Sequence, residues 1–363
     1  MSHPNSRDER LKNEIKAEAY HLGFIDIGFT TPDVDVNYAQ FLDWTEKGCQ
    51  AGMQYLARNN TRAARQSAKN LLSKCETIIC LAYPYPLIAP TGTKSQGRIA
   101  SYALSQDYHL HIADLGNKLL EKITQLFGDQ LLAQVHLDTS PILEKSYARQ
   151  AGLGWIGRNS LLIHPKYGSG LFLCEILINI PIEPESPFPT DGCQNCQRCF
   201  NACPTKAILP NRSIDARRCL SYLTIENRAE IPEEFRQAMG NRIFGCDQCQ
   251  LVCPYNKQSK TTAVSNNWQM TINPTPELAD CFAMTEEEFH SHYQQNPVLR
   301  AKYTGFRRNL AIAMGNSENP DFLPLLRQAQ ITETNPIVAE AIAWAINSLE
   351  PSANPHPDPS FMA

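Results

Sequence analysis

Eight of the chain's 13 cysteines lie between residues 190 and 260, and their spacing points to one kind of chemistry. In Cys193-x-x-Cys196-x-x-Cys199-x-x-x-Cys203-Pro204, three closely spaced thiolates can reach three corners of a four-iron four-sulfur cubane. The fourth, carried past a turn by the proline, reaches a second cluster. A zinc site needs only four ligands and leaves this shared pattern unexplained. The second run, Cys246-x-x-Cys249-x-x-x-Cys253-Pro254, has Ile243 where the full pattern would place its first cysteine. Two clusters require eight thiolates, and Cys219, alone between the runs, completes the count. The crossover rule then assigns Cys193, Cys196, Cys199 and Cys253 to one cluster and Cys203, Cys219, Cys246 and Cys249 to the other. Cys49, Cys75, Cys80, Cys174 and Cys281 have no such spacing; Cys80 and Cys174 sit in apolar strand candidates and read as small buried hydrophobes.

Two adjacent clusters form an electron path, and a path needs an end. The bland alternative is a two-cluster electron carrier. Nearly 180 residues precede the clusters, however, and a carrier has no use for them. In this leading region Leu11, Ile15, Ala19 and Leu22 recur at helical spacing, with Gly23 as a stop. Residues 24–29 and 77–83 read as strands, 108–127 as one long helix and 131–137 as a strand. Residues 160–164 and 171–179 read as a hairpin around 166–170. Gly152-x-Gly154-x-x-Gly157 follows a predicted helix (141–151) and precedes a strand, the reverse of a dinucleotide-binding turn, so no nicotinamide site is expected there. No Asp-x-His-x-x-Gly stretch singles out a histidine as a lower cobalt ligand.

Residues 180–189 form a proline-rich connector. The last region is helical, and its two Ala-Ile-Ala cores, 311–313 and 341–343, have the look of a truncated HEAT-type repeat. The expected class is therefore α+β: a mixed α/β domain over 1–185, a ferredoxin-like two-cluster domain over 186–265, and a helical HEAT-like domain and tail over 266–363. With 363 residues, a formal charge of -4, a polar N-terminus and no long apolar run, the chain reads as a cytoplasmic enzyme without a membrane span.

The stretch LDTSPILEKSYARQAGLGWIGRNSLLI (137–163), the DYH at 107–109, RCLSYLTIE (218–226), RRNLAIAMGN (307–316) and the eight cysteines together resemble the epoxyqueuosine reductase family. The resemblance covers nearly the whole chain. It implies an oxidoreductase with cobalamin and two 4Fe-4S clusters, akin to reductive dehalogenases, that completes queuosine in tRNA. It also implies a proton donor at Asp138 and cobalamin contacts from Arg58, Ser101, Asp138, Asn159, Ser160, Ser221, Cys246 and Asp247.

The implied chemistry asks for an acid. Removing an epoxide oxygen takes two electrons and two protons, and the alkoxide formed on ring opening leaves poorly unless protonated. An aspartate titrates at about 3.9, so remaining an acid at neutral pH requires a shift of about three units, or about 4 kcal/mol, which burial could supply. The competing structural reading makes Asp138, or Ser140, the cap of the helix that follows Pro141. Basic stretches, Lys47, Arg58, Arg62, Arg65, Lys69 and Lys74 in one and Arg300, Lys302, Arg307 and Arg308 in the other, are expected to face tRNA phosphates. The expected partners are tRNA and an external electron donor, with the chain a monomer. A dehalogenase-like reductase of a small molecule is the remaining enzymatic alternative.

Overall fold

The computed structural model describes residues 6–33, 37–89, 91–257 and 268–350. Its frame is an antiparallel sheet in the order β1 (Asp26–Thr30), β2 (Thr77–Pro84), β7 (Leu171–Ile178) and β4 (Ala133–His136). Side chains alternate across a strand, so the two faces of β2 separate cleanly. Ile79 and Leu81 join Cys174 and Ile176 under α1 (Ser6–His21) and α4 (Tyr108–Phe127). Ile78, Cys80 and Ala82 meet Leu173, Leu177 and α5 (Glu144–Gln150) on the other face. Cys80 and Cys174 are fully buried in these layers. Gly28 of β1 admits the end of α5: a Cβ there would come within 2.0 Å of the Ala151 carbonyl oxygen, so any larger residue would push helix from sheet.

The long helix and four of the predicted strands form close to the expected ranges, but the predicted hairpin does not. β6 (Leu162–Ile163) pairs with β5 (Trp155–Ile156), while β7 lies between β2 and β4; only a His164–Gly168 bridge closes the 164–168 turn. The cause is burial. β7 is covered along nearly its whole length and needs a full ladder on both edges, which the eight-residue β2 supplies and a two-residue strand cannot.

The cysteine-bearing region is built of short elements: α6 (Arg198–Ala202), α7 (Leu220–Ile225), α8 (Glu233–Met239), β8 (Arg242–Phe244), α9 (Gln248–Leu251) and α10 (Pro254–Lys257). β8 pairs in parallel with β3 (Arg98–Ile99) of the leading region. The helices α11 (Leu278–Ala283), α12 (Glu286–His292), α13 (Lys302–Gly315), α14 (Leu323–Thr332) and α15 (Pro336–Leu349) complete the described chain. One apolar core runs from Ile99 and Leu104 through Leu220 and Phe244 to Ile312 and Leu349, across the division expected at 265/266. Among the described residues no helix is long and apolar enough to cross a membrane.

Arg308 joins these parts. It is buried, and its guanidinium donates to the carbonyl oxygens of Leu223, Asn227 and Ala229 at 2.7, 2.9 and 2.5 Å, while burial lowers its pKa to about 10. Asn309 beside it donates to the carbonyls of Thr224 and Ile243. The expected phosphate contact at Arg308 is therefore corrected: this cation faces α7 and the turn after it. Arg307 is likewise engaged, with Glu333 at 3.2 Å and the Phe282 ring. Arg308→Met should destabilise the chain by about 3 kcal/mol or more, because three buried carbonyls lose their donor; chemical denaturation followed by circular dichroism would measure it.

Candidate active site

Asp107 caps α4, its carboxylate accepting from the His109 backbone N–H at 3.0 Å, and this sets the first helical turn beside the loop after β4. Tyr108 is stacked on Phe172 of β7, with ring centroids 4.3 Å apart and planes at 11°, which fixes its hydroxyl. That hydroxyl donates to Asp138 Oδ2 at 2.5 Å, and His109 Nε2 stands 2.6 Å from Asp138 Oδ1. On its other side His109 Nδ1 meets Asp107 Oδ1 at 2.7 Å. Arg300, paired with Glu226 at 3.3 Å, approaches His109 Nε2 to 3.5 Å.

Asp138 is thus the hub of a side-chain network. Neither it nor Ser140 caps α5: that helix starts at Glu144 behind Leu143, which offers no side-chain acceptor. Burial by itself would raise the Asp138 carboxyl, as the sequence suggested. The His109 hydrogen bond and charge, the Tyr108 hydroxyl and Arg300 together outweigh it and hold the carboxyl below its ordinary value. For His109, burial alone would lower the imidazole, but Asp107 and Asp138 push it up to about 9. The resting network therefore carries its proton on His109 and its negative charge on Asp138, which corrects the expectation of a protonated Asp138.

Asp138 borders two adjoining cavities of about 480 and 750 Å³. The smaller has Asp138, Tyr108 and Arg300 among its lining residues together with Cys219, Ser221 and Tyr222, and apolar walls from Leu161, Leu171 and Ile225. The larger shares Trp44, Glu144 and Lys145 with it and extends past Asn159 and Ser160 to Trp155 and Phe188. Of the residues expected around cobalamin, Asp138, Asn159, Ser160 and Ser221 line these spaces. Arg58 stands outside both, at the start of α3 (Asn59–Gln66). Ser101 donates its backbone N–H to Asp247 at 2.6 Å, and Asp247 borders a separate cavity of about 40 Å³ with Cys246, Arg98 and Arg242. Sequence reasoning named no role for Tyr108 or His109, and missed Glu144, Lys145 and Trp44. The DYH triplet was the available signal, since an aspartate before an aromatic and a histidine at a helix start puts both rings on its first turn.

Thiols of the two runs and Cys219 lie within electrostatic reach of one another. Cys253 feels the charges of Cys193 and Cys196, and Cys219 those of Cys246 and Cys203. Cys249 belongs with Cys219 and Cys246 and also senses Cys199 across the divide. Burial pushes the Cys219 thiol up to about 11, so it needs a metal partner to ionise. Among the described residues no three potential ligands converge on a single metal ion. Thiolates on a cubane stand further apart, since each binds a different iron. Trp155 Nε1 donates to Cys193 Sγ at 3.5 Å and the Ala207 N–H to Cys203 Sγ at 3.2 Å, bonds that suit anionic sulfur. Ile243 is fully buried in β8, so the position that breaks the second run serves the core.

Of the basic stretch 47–75, Lys47 pairs with Asp43, Arg62 bonds Thr45 Oγ1 at 3.0 Å, and Arg65 lies over Phe41 in the larger cavity wall; Lys69 and Lys74 remain exposed.

Behind the site, Glu175 of β7 is fully buried opposite Cys80 and His136, and neither carboxyl oxygen has a hydrogen-bond partner. Burial first, then the charges of Glu144 and Asp138, holds it well above the ordinary glutamate range, so it is protonated. A carboxyl raised on folding costs stability as pH climbs past its unfolded value, because only the unfolded chain ionises freely. Glu175→Gln should therefore raise Tm at pH 8 by about 2 °C or more, with the gain vanishing toward pH 4, as read by scanning calorimetry.

Residues 65–139 match the family model described as epoxyqueuosine reductase QueG, DUF1730, and residues 192–256 match the 4Fe-4S double cluster binding domain. An epoxyqueuosine reductase of Pseudomonas aeruginosa is 34% identical over 351 residues, covering 93% of this chain and 94% of that protein. The structure of the Bacillus subtilis epoxyqueuosine reductase, with its catalytic aspartate loop swung out of the active site, superposes with a TM-score of 0.85 at 29% identity, covering 94% of this chain and 91% of that one. An epoxyqueuosine reductase crystallised with an epoxyqueuosine-modified tRNA-Tyr stem loop superposes with a TM-score of 0.75 at 26% identity, covering 94% and 99%.

Proposed function

The chain belongs to the epoxyqueuosine reductase family, and we propose from that premise that it reduces epoxyqueuosine to queuosine in tRNA within the cavity between Asp138 and Cys219. The observation that carries this reading is the lining of the smaller cavity, which includes both a proton-bearing network and Cys219, a cysteine of the second expected cluster group. Cys193, Cys196, Cys199 and Cys253 would hold one 4Fe-4S cluster and Cys203, Cys219, Cys246 and Cys249 the other, and the pair would supply electrons one at a time.

The cavity also fits cobalamin. Its apolar walls suit a corrin ring, Ser221 and Tyr222 offer polar edges beside Cys219, and the larger cavity past Asn159 and Ser160 suits a nucleotide tail. Cobalamin held there would supply a reduced metal nucleophile for an epoxide carbon. The chain's own residues do the rest. Tyr108 and His109 orient Asp138 toward the space where an epoxide oxygen sits, and the network protonates that oxygen so that it leaves as water. Trp44 and Tyr55, an exposed ring in the cavity wall, suit stacking of a splayed tRNA base. The electron donor is external, and its entry is the half-exposed segment from Cys193 through Cys196 to Cys199 at the start of α6. The chain acts as a monomer in the cytoplasm, in three working parts, 1–185, 186–265 and 266–363.

The test is a cobalamin addition to anaerobically reconstituted protein with epoxyqueuosine tRNA, followed by nucleoside mass spectrometry. Loss of one oxygen only when cobalamin is present supports the reading. A protein that carries iron and sulfide yet neither binds cobalamin nor alters the nucleoside is an electron carrier instead.

A further inference from the structure

The reaction consumes protons, yet the group best placed to deliver one, Asp138, is anionic at rest. We propose that His109, clamped by Asp107, is the proton store that loads Asp138 during turnover. This deepens the reading above and rests on Asp138 being the acid. The geometry is a chain of two short contacts through one imidazole: Asp107 Oδ1 to Nδ1 at 2.7 Å and Nε2 to Asp138 Oδ1 at 2.6 Å. Asp107 is itself fixed by capping α4, so the ring is held from behind by the backbone it belongs to.

The groups facing His109 come from several elements. Asp107 and the stacked Tyr108 ring belong to the start of α4, Asp138 to the loop after β4, and Arg300 to the 297–301 turn. Glu226 neutralises Arg300 from the end of α7, and Glu144 of α5 lies in the field of Asp138 and His109. Two carboxylates in contact outweigh the one guanidinium at 3.5 Å, and the imidazolium stays charged to about pH 9.

The proton balance is direct. Both carbon–oxygen bonds of the epoxide break, a carbon–carbon double bond forms, and two electrons arrive through the clusters from the external donor. One proton passes from His109 Nε2 to Asp138 and from Asp138 to the departing oxygen; the second comes from water, and the oxygen leaves as water. His109 then stands as the neutral Nδ1–H tautomer, still held by Asp107, and regains its Nε2 proton from solvent. His109 acts through Asp138 and positions it. Three features follow from this assignment: a full proton supply at neutral pH despite an ionised Asp138, an alkaline limit set by the imidazole, and dependence on Asp107.

Two measurements test it. In the anaerobically reconstituted protein carrying both oxidised clusters, ¹⁵N-histidine NMR should show one of the nine histidines titrating near pH 9, absent in His109→Gln and shifted toward the ordinary value of about 6.5 in Asp138→Asn. In the loaded enzyme, single-turnover deoxygenation of an epoxyqueuosine stem loop should fall above pH 9 in the parent. In His109→Gln it should be at least about 30-fold slower at pH 7.5 and recover as pH is lowered, because Asp138 must then take its proton from bulk water. Iron content and cobalamin uptake should equal the parent's. A His109→Gln enzyme within threefold of the parent with the same alkaline limb overturns the proposal, as does an NMR titration near 6.5. Should His109→Gln fail to fold or load, the NMR titrations of the parent and Asp138→Asn decide alone. Should Asp138→Asn turn over at the parent rate, Asp138 is not the acid, while a histidine titrating near 9 still establishes the paired network.

Discussion

Asp138→Asn is expected to slow removal of the epoxide oxygen by about 10²–10⁴-fold, the range over which a positioned acid accelerates a reaction. The substitution is nearly isosteric. An asparagine side chain still accepts from Tyr108 and still meets His109, so the loop after β4 should keep its place. What it loses is the ability to receive a proton and pass it on. Iron content, cobalamin uptake and tRNA binding should match the parent, and the defect should lie in kcat. Single-turnover assays read by nucleoside mass spectrometry, with substrate binding measured separately, distinguish the two. Turnover at the parent rate would remove Asp138 from its role and leave Tyr108 as the donor to examine.

Cys219→Ser is expected to cut iron from about eight to about four atoms per chain and to abolish turnover. Cys219 is the cysteine outside both runs, and it lies at the start of α7 where it both neighbours Cys203, Cys246 and Cys249 and lines the smaller cavity. Losing it removes the cluster next to the reaction space while leaving the group of Cys193, Cys196, Cys199 and Cys253 intact. Electrons then enter the protein and stop. Iron and sulfide analysis of anaerobically purified protein, with the paramagnetic resonance of the reduced clusters, measures this directly. Retention of eight irons would mean that another group closes the second cluster. Cys281, buried in α11 and hydrogen bonded to Tyr293, is engaged elsewhere.

The two residues differ in how far the sequence could reveal them. Cys219 followed from counting: two cubanes need eight sulfurs, the two runs supply seven, and Cys219 is the cysteine standing between them. Asp138 came from resemblance, while its local surroundings by themselves favoured a helix cap. The structure decided between these by starting α5 six residues later and turning the carboxyl toward α4, whose first turn is 30 residues earlier in the chain. The same limit affected the cations. Arg307 and Arg308 read as a phosphate-facing pair, but one closes over three carbonyls in the interior and the other pairs with Glu333. Charge in a sequence says nothing about which way a side chain is turned.

Residue spacing by itself pointed to two 4Fe-4S clusters in this chain, because a cubane imposes its ligand intervals on a short stretch of backbone. Apolar periodicity likewise set the long helix and the buried strands. Tertiary structure alone decided the protonation of the site. Whether Asp138 is an acid or a carboxylate depends on an imidazole 29 residues away and on an arginine brought in from residue 300. A pKa responds to charges and hydrogen bonds within a few ångströms in space, wherever those groups stand along the chain.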